Sequence, residues 1–137
     1  MSVTQLAIFI ENKPGRLLAV TRLLGDAGVN IRGYSIADTT EYGILRLLVD
    51  KPEVARTVLR ENAFTVHESR VVLVEVPNRP GGVADVLAGL AEVNIEYTYP
   101  TAVHCLIAFG VQDIARAEQQ LAATGVKLLT DEELAGV

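Results

Sequence analysis

Apolar residues alternate between short runs and helical spacing, and the whole alternation occurs twice. Residues 4–10 predict a strand apolar on both faces, with the run Leu6 to Ile10, as expected of a strand central in its sheet. From Arg16 onward, Leu17, Val20, Leu24 and Ala27 fall on one helical face, with Leu23 beside them. Gly28 stands just past the end of that helix, where left-handed backbone is common. A strand over about 31–38 follows. The polar cluster Asp38-Thr39-Thr40-Glu41 with Gly43 predicts a hairpin turn, and 44–49 predicts a third strand. Pro52 opens a second helix with Val54, Val58 and Leu59 on one side, and a fourth strand is expected near 64–68.

The order then repeats. A strand over 71–77 leads to a helix with Val83, Val86, Leu87 and Leu90 at i, i+3, i+4 and i+7. Strands over about 94–99 and 103–110 flank Pro100-Thr101-Ala102. A helix carrying Ile114, Ala117 and Leu121 stops before Gly125, and 126–129 is the last strand. Asp131-Glu132-Glu133 reads as a solvated tail or a short helical turn.

The two halves share more than periodicity. Asn12-Lys13-Pro14-Gly15-Arg16-Leu17 returns as Asn78-Arg79-Pro80-Gly81-Gly82-Val83. Asn30-Ile31 returns as Asn94-Ile95, with two residues lost between helix and strand, and no glycine matches Gly28. Each Asn-x-Pro-Gly loop joins a strand to a helix. Proline near the first helical position has its φ set and lacks an N–H that would be unpaired there. Glycine lets another group approach the backbone.

Each half is therefore βαββαβ, over 1–69 and 70–137. Right-handed crossovers place the third strand between the first and second. The predicted fold is α+β, two ferredoxin-like βαββαβ repeats packed into one compact unit, each with helices on one sheet face. A half of this size buries little apolar surface alone, and no Gly, Pro or Ser-rich linker separates the halves.

Composition narrows the function. Half of the 137 residues are apolar, enough for a core. Residues 1–70 carry 9 basic and 8 acidic residues, and 71–137 carry 3 and 9; that balance argues against nucleic acid. No stretch is long enough for a membrane span, and no signal peptide is expected. A single cysteine, Cys105, cannot form an internal disulfide or a metal site. Cytoplasmic localisation is expected. Cys105 is expected as a buried small hydrophobe in an apolar strand. His67 and His104 read as ordinary strand histidines, and Arg22 and Arg32, with Arg16, as solvated surface near the first loop. Tyr34, Tyr97, Thr98 and Tyr99 lie on edge strands, as pocket wall, domain seam or edge cover. No catalytic residue, metal site or cofactor is expected, since no nucleophile, base and orienting group recur together.

The chain resembles a tandem pair of ACT domains, the small-molecule regulatory modules of amino-acid metabolism. The resemblance rests on Asn12-x-Pro14-Gly15-x-Leu17-Leu18, Asn30-Ile31, their counterparts Asn78-x-Pro80-Gly81 and Asn94-Ile95, and the element order. It implies an amino acid bound at a seam between two such domains. It also implies a homodimer and a regulated enzyme as partners. The chemistry of the loops agrees with it. A ligand carboxylate suits N–H groups near Gly15 and Arg16, or Gly81 and Gly82. Its ammonium suits oxygens that Asn12, Asn30, Asn78 and Asn94 can supply. The alternatives are that Asn and Pro-Gly only cap and turn the chain, that the chain is a small enzyme on the same fold, or that it is an assembly subunit without ligand.

Overall fold

Residues 1–38 and 42–137 are described by a computed structural model. The expected turn falls on Thr39, Thr40 and Glu41, outside the described residues. The chain divides into two compact units, Thr4–Ser69 and Arg70–Val137, the latter joined by Met1–Val3. Those first three residues, expected with the first repeat, are held by the second. Arg70 donates to the Ser2 carbonyl at 2.6 Å and to its hydroxyl at 3.0 Å. The N-terminal ammonium pairs with Glu118 at 3.2 Å.

In the first unit the elements are β1 (Val3–Glu11), α1 (Arg16–Asp26), β2 (Ile31–Asp38), β3 (Tyr42–Val49), α2 (Pro52–Glu61) and the start of β4 (Val66–Glu75). The strand order is β2-β3-β1-β4. As the handedness rule predicts, β3 lies between β1 and β2, antiparallel to both. β1 is interior to the sheet, which is why Leu6, Ile8 and Ile10 could all be apolar and buried. They pack with Leu45, Leu47, Val20, Leu24 and Leu59 in one core beneath the helices. Truncating a fully buried leucine such as Leu24 to alanine costs about 2–5 kcal/mol.

The second unit continues β4 and adds α3 (Gly82–Gly89), β5 (Ile95–Pro100), β6 (Leu106–Val111), α4 (Ile114–Ala122) and α5 (Asp131–Ala135). Its strand order is β4-β6-β5. Val72, Val74, Phe109, Val86 and Leu121 form its core. The expected strand at 126–129 reduces to a bridge between Val74 and Leu128. The acidic end forms a true helix. Thr130 and Glu133 close a capping box, and Leu134 is buried.

Several boundaries differ from the pattern. The strands expected near 64–68 and 71–77 are one strand, β4, because nothing in 66–75 breaks extended backbone. α2 buries Ala55 and Leu59, while Val54 is 40% exposed. α3 has 8 residues where α1 has 11, whereas residues 90–94 join it to β5 where 27–30 join α1 to β2, so the two residues expected to be lost from the turn come out of the helix instead. Val86 and Leu90 are buried on the expected stripe, but Val83 and Leu87 are exposed. β6 begins only at Leu106; His104 and Cys105 have positive φ, which a strand cannot use. Cys105 is therefore exposed and not buried as expected.

Candidate ligand-binding site

The two Asn-x-Pro-Gly loops fold alike. In the first, the Lys13 N–H donates to the Glu11 carbonyl at 2.8 Å and the Arg16 N–H to the Lys13 carbonyl at 3.3 Å. In the second, Arg79 donates to Pro77 at 2.9 Å and Gly82 to Arg79 at 3.0 Å. Gly15 and Gly81 both have φ 83°, the left-handed turn that delivers each chain into its helix. Neither α1 nor α3 has a side-chain cap. Asn12 and Asn78 therefore do not serve as ordinary helix caps, the alternative that the sequence left open.

The first loop borders a cavity of about 350 Å³. Its apolar lining comes from Ile10, Leu17, Ile36 and Gly43, and its polar lining from Glu11, Asn12, Lys13 and Arg16. Three elements meet there. β1 ends at Glu11, α1 begins at Arg16, and the register pairs Ile10 with Gly43. Lys13 stands 2.9 Å and Arg16 3.4 Å from the Glu11 carboxylate. The Lys13 hydrogen bond, then the Lys13 and Arg16 charges, hold the Glu11 carboxyl below its usual range. This wall carries both signs of charge.

Of the expected site residues in this unit, Asn12, Arg16 and Leu17 line the cavity, while Pro14 and Gly15 shape the loop without lining it. Asn30 and Ile31 are elsewhere. Ile31 begins β2 and Asn30 precedes it, whereas the cavity lies towards the end of β2 and the start of β3. Six positions separate Asn30 from Ile36, the β2 residue on the cavity wall, roughly 19–20 Å at the usual rise per residue. Asn30 is tied there to Asp50, whose carboxylate accepts its N–H at 2.8 Å. Ile31 packs on the core. Arg22 and Arg32 are also absent from the cavity wall. Missed at the sequence level were Ile10 and Glu11 at the end of β1, Lys13, the variable position of the motif, and Ile36 and Gly43, which only sheet pairing brings to the loop.

A family model for an ACT domain pair matches residues 1–137. The chain belongs to that family. The ACT fold agrees with solved structures. A protein from Bacteroides thetaiotaomicron is 35% identical, over 100% of this chain and 98% of that one, with a TM-score of 0.93. The ligand-free regulatory subunit of aspartate kinase from Thermus thermophilus is 17% identical, over 89% of each chain, with a TM-score of 0.66. The corresponding subunit from Thermus flavus is 18% identical, over 89% and 90%, with a TM-score of 0.58. Among curated proteins, none matches significantly.

The second ACT repeat arranges its loop differently. Asn78 borders a hollow of about 580 Å³ together with His104, Cys105 and Lys127, but Pro80, Gly81 and Gly82 do not line it. A methyl group on Gly82 would overlap the Pro77 carbonyl oxygen. The second loop thus fills with its own backbone the space beside the first helical residue. Where the first repeat has Arg16, glycine is obligatory. Arg79, matching Lys13, is paired with Asp85. Asn94 lies at the far end, in a polar hollow with Glu92, Gln112 and Arg116, and Ile95 packs on the core. On β5, Tyr97 and Tyr99 stack at 6.4 Å, with the Tyr97 ring lying over Gly110. Tyr99 is buried and Tyr34 exposed, so edge tyrosines play different parts in the two repeats. His67 is exposed on β4. Among the described residues no helix is long and apolar enough to cross a membrane.

Proposed function

We propose that this ACT domain pair is a regulatory protein that binds a free amino acid beside its first Asn-x-Pro-Gly loop and passes the signal to a regulated enzyme. The observation that carries the reading is the cavity wall of Glu11, Asn12, Lys13 and Arg16 above an apolar floor. A zwitterion needs both signs of charge a few ångströms apart. Lys13 and Arg16 suit its carboxylate, and Glu11 with the Asn12 side-chain oxygen suits its ammonium. A site for a plain anion would not place a carboxylate between its two cations. The second loop is the weaker candidate, since Gly82 is covered by Pro77.

The site gains a seam if a second copy of the chain pairs alongside β2. That strand ends its sheet and leaves an outer row of backbone groups open to pairing. Leu18 and Tyr34 are more than half exposed beside it. Two β2 strands paired antiparallel would bring Asn30 of one copy to the Asn12 loop of the other, a meeting that a single unit precludes. A ligand spanning such a seam favours the closed dimer. The test is thermal melting of the full chain with each standard amino acid, combined with sedimentation. A melting point that rises with ligand concentration, together with a shift towards dimer, supports the reading. A melt indifferent to every amino acid would overturn it.

A further inference from the structure

We propose that the cavity beside the first loop selects an amino acid with an aliphatic side chain, and that Gly43 determines how large that side chain can be. This rests on the amino-acid reading above and adds the ligand class to it. The wall is divided by chemistry. Its charged groups are on Glu11, Lys13 and Arg16, at the end of β1, in the loop and at the start of α1, whereas Ile10, Leu17, Ile36 and the bare backbone of Gly43 supply the apolar lining. A head group held by the charges leaves its side chain to that apolar lining. A charged or amide side chain would lose water there without finding a partner, and an aliphatic one would not.

Gly43 is buried in β3, opposite Ile10 on one side and Asp38 on the other. Its φ is not in the left-handed region, unlike that of Gly15, Gly28, Gly81 and Gly125. Backbone conformation therefore does not require glycine at this position. Gly43 lines the cavity together with Ile10 and Ile36. A methyl group there would stand 3.3 Å from Ile36 Cγ2 and 3.7 Å from both Ile10 Cγ1 and the Ala37 carbonyl oxygen, so Ile36 would have to give by a few tenths of an ångström. Alanine at this position therefore narrows the apolar part of the cavity.

The experiment is titration calorimetry on the full chain with glycine, alanine, valine, leucine, isoleucine, serine, aspartate and lysine. It is run on the unaltered protein, on Gly43→Ala and on Ile36→Ala. One of the branched aliphatic amino acids should bind about tenfold or more tighter than glycine, the scale of added methylenes in an apolar pocket. Gly43→Ala should weaken that ligand about tenfold and leave alanine binding unchanged. Ile36→Ala removes a side chain that is 40% exposed on an edge strand, so it folds even if Gly43→Ala does not. It should weaken the aliphatic ligands and spare glycine. If aspartate, lysine or serine binds as well as leucine, or if both variants weaken all ligands alike, the selectivity is wrong while amino-acid binding stands. If no amino acid binds the unaltered protein, the underlying reading fails and this one with it.

Discussion

Gly82→Ala is the substitution that best tests why the two loops differ. The added methyl would overlap the Pro77 carbonyl oxygen and stand 3.1 Å from the carbonyl carbon. Carbon atoms rest at about 3.5–4.0 Å from one another, so the loop or the start of α3 must shift. Backbone is the obstacle, and no side chain can rotate away to relieve it. Overpacking of this kind costs about 1–3 kcal/mol. Alanine recovers part of that by restricting the unfolded chain, about 0.4–1 kcal/mol, leaving a net loss of about 1–2 kcal/mol. The control is Arg16→Ala at the matching position of the first repeat. Arg16 is exposed and its partner is an exposed carboxylate, so stability should change by less than about 0.5 kcal/mol. Urea unfolding of both variants reads the difference as a shift in midpoint at constant slope. A neutral or stabilising Gly82→Ala would refute the reasoning, because the Pro77 carbonyl could not then lie over the helix start.

Gly15 has φ 83° and nothing within 4 Å of a side chain placed there. Gly15→Ala should therefore destabilise by about 1–2 kcal/mol through backbone strain alone, with Gly15→Asn milder in the same urea assay. Asn12→Ala should abolish stabilisation by the bound amino acid in a thermal melt while Asn78→Ala preserves it; the reverse result would move the site to the second repeat. Glu11 and Glu133 both have carboxyls held below the usual range, Glu11 first by its Lys13 hydrogen bond and Glu133 first by that of Lys127. A lowered folded pKa adds stability above the unfolded value, and that stability is lost as pH falls through the folded one. An acid titration followed by circular dichroism should thus show weakening below about pH 4, smaller in Glu11→Gln, and an unchanged acid limb in that variant would count against the pairing.

What the sequence determined by itself was whatever depends on near neighbours. Two residues out of register would have destroyed the 3.6-residue stripes of α1 and α4, so Val20, Leu24, Ala117 and Leu121 were legible as core. The left-handed turn at Gly28 was legible because glycine is the residue that adopts that backbone freely just past a helix, whereas the same conformation at Gly15 and Gly81 emerged only from the folded loops. The repeat of the Asn-x-Pro-Gly loop and the place of β3 between β1 and β2 were legible from motif and handedness. Tertiary structure decided what meets what across the sheet. Pairing Ile10 with Gly43 brings Gly43 and Ile36 to the loop, and the length of β2 carries Asn30 away from it. Neither is written near the motif, because register is a property of two strands and not of one. The same holds for Gly82. In the sequence it looked like an opening for a ligand, and the folded loop occupies that opening with the carbonyl of Pro77.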